Sequence, residues 1–207
     1  MDMFDSLEEE DRGEEVQILR HFDLETQRSA SEVGWNNKDL MYISVACVYC
    51  EPENEYRFYT EDTVDKLVED LSVAHRVIGY NLIGFDYPVL SHYTDVDLFE
   101  LPTVDMMLDI NDCLGHKRSK NLDNVSSTTL GTGKTADGLK ALEWWDLYIK
   151  TGDKKYLRLI AKYCKGDVTV TKDVYYYALN NSCLYYTNNG GKKTLIDNMR
   201  WTVRRGK

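Results

Sequence analysis

The stretch His21-Phe22-Asp23-Leu24-Glu25-Thr26 decides how this chain is read. It closes an apolar run in which Val16, Ile18 and Phe22 alternate loosely, so residues 16–23 are expected to form a strand. Side chains alternate faces along a strand, so Asp23 and Glu25, two apart, emerge together on one face. Adjacent carboxylates repel unless a cation holds them. Oxygen donors of this kind suit hard divalent ions such as Mg²⁺ or Mn²⁺. Two solvated acids at a strand end would look the same, so the rest of the chain has to decide.

Around this stretch the pattern is mixed. Strands are expected at residues 41–49, 56–59, 76–79 and 103–105, with a hairpin connection over 51–55. Helical spacing marks 61–74, 86–93, 106–114, 121–130, 137–148, 154–165 and 167–179. Asn188-Asn189-Gly190-Gly191 separates two short apolar runs and reads as the turn of a C-terminal β-hairpin. The fold class is therefore α/β: a central mixed sheet flanked by helices, with a hairpin at the end. The organisation read from the chain is an acidic tail over 1–15, solvated or disordered, one domain over 16–182, and a hairpin with a basic tail over 183–207.

Bulk properties narrow the class. No run of about 18 apolar residues exists, so no membrane span is expected. The five cysteines are odd in number and scattered, which fits a reduced, cytoplasmic protein better than a disulfide framework. The net charge of −10 opposes nucleic-acid binding. Eight of the acids fall within the first fifteen residues, however, and carboxylates that hold cations turn a negative site positive.

Two further segments carry candidate chemistry. In Gly79-Tyr80-Asn81-Leu82-Ile83-Gly84-Phe85-Asp86 a strand runs through a loop into a helix start. Asp86 falls in the first helical turn, where the dipole favours an anion, and capping alone would explain it. Tyr163 and Asp167 are four apart, one above the other on a helix face.

In chain order, Asp-x-Glu (Asp23, Glu25), Asn-x-x-x-Phe-Asp (Asn81, Phe85, Asp86) and Tyr-x-x-x-Asp (Tyr163, Asp167) resemble the three motifs of the DEDD exonuclease superfamily. A histidine branch would need His five residues before Asp167, where Lys162 stands, so the tyrosine branch is the better match. Over roughly 16–180 the chain also looks like the YprB-type ribonuclease H-like domain, which occurs alone or joined to helicases.

The resemblance implies a 3'→5' exonuclease of ribonuclease H-like fold that uses two divalent cations, Mg²⁺ or Mn²⁺. Asp23, Glu25, Asp86 and Asp167 would be the metal ligands. Tyr163 would orient the attacking water; a tyrosine ordinarily ionises near about 10 and is no strong base. Leu24, Thr26, Asn81, Phe85 and Lys134 would meet the substrate, most plainly a single-stranded 3' end. A helicase or repair partner is implied on the same ground. The alternatives are a structure-selective endonuclease on this fold and a non-catalytic nucleic-acid-binding adaptor.

Several decoys are set aside. Gly131-Thr132-Gly133-Lys134-Thr135 lacks the first glycine of a Walker loop, since position 128 is Thr128. Cys47 and Cys50 have zinc-like spacing without a second pair. Trp144 and Trp145 are expected to pack a helix. His116, Lys117, Arg118 and Lys120, and the tail cations Arg200, Arg204, Arg205 and Lys207, are candidates for backbone phosphate contacts.

Overall fold

The computed structural model describes residues 16–115, 120–131 and 139–206. The first strand, β1 (Leu19–Thr26), begins three residues later than the apolar pattern suggests. The Ile18 backbone is occupied by His75 instead: Ile18 N donates to His75 Nδ1 at 2.8 Å, and Ile18 O accepts from His75 N at 2.8 Å. The strand also runs on to Thr26, so Asp23 and Glu25 lie inside it and not at its end.

In chain order there follow α1 (Ala30–Val33), β2 (Ile43–Glu51), β3 (Glu55–Tyr59), α2 (Val64–Ser72), β4 (Arg76–Gly79), α3 (Tyr87–Leu90), β5 (Thr103–Asp105), α4 (Met106–Cys113), α5 (Leu122–Leu130), α6 (Leu139–Thr151), α7 (Lys155–Asn181), β6 (Cys183–Thr187) and β7 (Lys193–Asp197). The main sheet has the order β3-β2-β1-β4-β5, antiparallel from β3 to β1 and parallel from β1 to β5. The separate hairpin is β6–β7, as its turn sequence predicts.

Alternation along the central strands sorts the core into two layers. Phe22, Leu24, Ala46, Val48 and Val77 pack with Val64, Leu67 and Leu71 of α2. Cys47 meets Cys164 and Val168 of α7, and Val45 meets Ala141, Ile160 and Tyr163. Cys47 and Cys50 are three apart on one strand, so they face opposite layers and cannot share a zinc ion.

The residues read as two helices divided at Gly166 form one 27-residue helix, α7. Gly166 weakens it by roughly 1 kcal/mol relative to alanine. That is outweighed by a buried stripe of Ile160, Tyr163, Cys164, Asp167, Val168, Thr171, Val174, Tyr175 and Ala178. The helix lies across β2, β1 and β4 and ends against β6.

A second departure is at residues 82–86. The helix expected from Asp86 is preceded by a wide π-type turn, Leu82–Asp86, and shortened to α3. Asn81 enters the turn in the left-handed region (φ 71°, ψ 29°). Asp105, at the end of neighbouring β5, fixes the entry: its Oδ1 accepts from Asn81 N and its Oδ2 from Ile83 N, both at 3.0 Å. Gly79 lets β4 come close to β1, since a Cβ there would lie 2.7 Å from the Phe22 carbonyl oxygen.

Candidate metal centre and adjoining cleft

Asp23 and Glu25 project from β1 toward α7, which crosses that face and brings Asp167 to meet them. One carboxylate oxygen from each of Asp23, Glu25 and Asp167 lies within 4.8 Å of the others. Cys164, one turn before Asp167, lies beneath: its Sγ is 3.3 Å from the Asp23 carbonyl and 3.7 Å from Asp23 Oδ2. Burial, then the charges of Asp23 and Glu25, push this thiol well up, so Cys164 is a neutral donor and not a nucleophile. Tyr163 sits on the same helix face, 4% exposed, with the edge of Trp144 against it.

Asp86 reaches the same strand by another route. β4 pairs with β1 only over Leu19–His21, so the Leu24 N–H lies beyond the ladder. Asp86 Oδ1 accepts from it at 3.2 Å. The carboxylate does not cap its own helix, contrary to the simplest sequence reading. Burial raises the Asp86 carboxyl well above the ordinary carboxylate range, and the charges of Asp23 and Asp105 add to this. Burial likewise raises Asp105, against the opposing pull of the amides it accepts from. Asp86 borders the three-carboxylate cluster without being part of it.

The donor set fits a hard divalent cation. Three carboxylates from two rigid elements converge at ligand spacing, and a fourth is pushed toward its neutral form by burial, with the charge of Asp23 adding to it.

Beside Glu25 opens a cleft of about 420 Å³. Leu24, Thr26 and Phe85, three of the residues expected to meet the substrate, line it together with Arg28, Trp35 and Met41. Trp35 is 68% exposed. Asn81 does not line the cleft; its side chain folds over Gly84, where a Cβ would come within 2.3 Å of Asn81 Oδ1. Lys134 lies outside the described residues, as do His116, Lys117 and Arg118. Lys120 sits over the Tyr186 ring at 4.5 Å. Arg204 is committed to Asp109 and Asp112, at 2.7 and 3.0 Å, which removes it from the tail cations offered to phosphate. Trp144 and Trp145 pack beside Val45, Ala141 and Ile160, as expected.

Asp105, an acid closing a strand, is open in the sequence to a supporting position behind the site, and it caps α4 through Met107 N at 3.1 Å. Sequence reasoning did not single out Cys164, Arg28 or Trp35, and no local signal marks them.

A mixed sheet flanked by helices, with acids gathered where a late helix crosses its central strand, defines a ribonuclease H-like protein. The chain belongs to the RNase_H superfamily, whose family model matches residues 20–179. Among solved structures it is similar to the family B DNA polymerase from the hyperthermophilic archaeon Pyrobaculum calidifontis, with 18% identity and a TM-score of 0.56. The match covers 79% of this chain and 24% of that polymerase chain, so the likeness is one of fold. No curated protein matches the sequence. Among the described residues no helix is long and apolar enough to cross a membrane.

Proposed function

We propose that this chain is a metal-dependent 3'→5' exonuclease of the tyrosine DEDD branch, acting on single-stranded DNA or RNA ends. The observation that carries this reading is the meeting of Asp23, Glu25 and Asp167 within 4.8 Å, one helical turn from buried Tyr163.

A phosphodiester is anionic, so water attacks it only where negative charge is neutralised. A pair of bound divalent cations, Mg²⁺ or Mn²⁺, supplies that neutralisation and makes water a better nucleophile. Asp23, Glu25 and Asp167 would hold one ion. Asp23 and Asp86 would serve the other, with Leu24 N fixing the Asp86 carboxylate. The Tyr163 hydroxyl, a donor and an acceptor, orients the attacking water. Leu24, Thr26 and Phe85 receive the terminal nucleotide in the cleft, and Trp35 at its edge offers a face for a base to stack on. Asp105 positions the 81–86 turn and touches no substrate.

The test uses 5'-labelled single-stranded DNA and RNA with Mg²⁺ or Mn²⁺. The expected result is a ladder shortening from the 3' end, stopped by a blocked 3' terminus and absent in Asp23→Ala. Cutting of circular single strands would favour the endonuclease alternative. Binding without turnover under every metal condition would favour the adaptor.

A further inference from the structure

We infer that a second cavity, on the flank of the sheet, binds a small organic cation bearing N–H groups, an alkylammonium or a guanidinium. The cavity has a volume of about 120 Å³ and lies between the 60–62 turn, the start of β2, and α6 with the first turn of α7. Ser44, Glu61, Asp62, Trp145 and Tyr148 supply its chemistry. None of Asp23, Glu25, Asp86 or Asp167 lines it, so it is distinct from the candidate metal centre.

Three independent features point to the ligand. First, the Ser44 side chain is 1% exposed, and its Oγ is buried without a hydrogen-bond partner. Buried hydroxyls are normally satisfied, and one left open at the wall of a cavity marks a place for a donor or acceptor from outside. Second, Trp145 and Tyr148 stand side by side, ring centroids 5.5 Å apart and tilted by 49°, forming an aromatic wall. Aromatic faces attract cations, tryptophan most strongly. Third, the polar walls are acidic: Glu61 and Asp62 line the cavity, and among the described residues no lysine or arginine does. Glu61 is held in place, accepting from Tyr93 Oη and Gln27 Nε2, both at 2.8 Å.

The size admits a group of a few heavy atoms, and an engineered cavity of about 150 Å³ accepts benzene. A bare divalent ion uses neither the aromatic wall nor the hydroxyl. The Ser44 oxygen favours a cation that can donate to it over a quaternary ammonium. Such a group arrives either on a free polyamine or as the end of an arginine or lysine side chain.

The test is calorimetric titration of the full chain with methylguanidinium chloride, at ionic strength matched by NaCl. Tetramethylammonium, which has no N–H, is the control. The expected result is saturable binding of methylguanidinium, weaker binding of tetramethylammonium, and weakening of about tenfold in Ser44→Ala, the effect of one charge-assisted hydrogen bond. Asp62→Asn is expected to weaken it further. Both variants should melt no lower than wild type, since Ser44→Ala removes an unsatisfied hydroxyl and Asp62 is exposed. Spermidine and a short arginine peptide then identify the source, the tighter of the two naming it. Absence of saturation, equal binding by both variants and wild type, or displacement of methylguanidinium by Mg²⁺ at matched ionic strength would overturn the inference.

Discussion

The two faces of the sheet treat carboxylates in opposite ways. On the α2 face, Asp70 is 9% exposed and surrounded by donors. It accepts from Arg20 Nε at 2.9 Å, Arg57 Nη1 at 2.8 Å and Tyr59 Oη at 2.7 Å. On the α7 face, Asp23, Glu25 and Asp167 crowd one another within 4.8 Å, and Asp86 is buried beside them. The first arrangement is completed by the chain itself and contributes to stability. The second gathers carboxylates at the spacing that could hold a cation. On the proposed function, the contrast is one between a structural acid and a functional one.

The largest effect that tests this contrast is on turnover. Asp167→Asn is expected to lower cleavage at least about a thousandfold, the loss of roughly 4 kcal/mol of charge stabilisation. Its melting temperature in the absence of metal should not fall. A variant that melts lower would place Asp167 with Asp70 as a structural charge.

Next comes Asp70→Ala, which strands Arg20, itself 2% exposed. Removing one partner of a buried ion pair is expected to lower stability by about 3 kcal/mol, the low end because Glu53 still meets Arg20. Urea unfolding measures the loss, and cleavage per folded molecule should be unchanged. Tyr163→Phe should follow, with cleavage about tenfold to a hundredfold slower and cation affinity unaltered, as loss of one hydrogen bond to a charged group predicts. A changed affinity would make Tyr163 a ligand-holding group.

The smallest effect concerns Asp86 in the metal-free protein. Its folded pKa is raised above the ordinary 3.8 by burial and by Asp23 and Asp105. Its contribution to stability is therefore complete below that value and is lost as pH rises through the raised one. Asp86→Asn removes the loss while keeping an acceptor for Leu24 N. Its metal-free melting temperature at pH 7 should exceed that of wild type by about 2–4 °C, the shift that 1 kcal/mol gives in a domain of this size. The advantage should vanish near pH 4 and disappear when the wild type is loaded with cation.

Much of the fold was legible because strands and helices alternate in periodicity and the β6–β7 turn has its own chemistry. β1 was misplaced because Val16 and Ile18 look like strand residues, and only the structure shows His75 taking the Ile18 backbone. α7 was split because a glycine followed by an aspartate imitates a helix boundary. Packing against the sheet outweighs a defect of that size, and local propensity does not see it. The acids of the cluster were singled out by the family resemblance that their spacings carry together; each spacing alone also fits a solvated or capping acid. The cleft walls were not: Trp35 and Arg28 lie between β1 and β2 in a segment without periodicity, and nothing local says that they will stand beside Glu25.

That α7 is uninterrupted limits how the molecule can be lengthened. Each residue added to an α-helix turns everything beyond it by about 100°. An extra residue between Asp167 and the hairpin would swing Asp167 and Tyr163 away from β1 or wrench β6 off α5. Seven extra residues, close to two whole turns, would leave the angular phase off by only about 20°. Those seven would nevertheless carry the hairpin about 10.5 Å along the axis, at roughly 1.5 Å per residue, and off α5. The length of α7 between the carboxylates and the hairpin is thus set twice over, by angle at one end and by reach at the other.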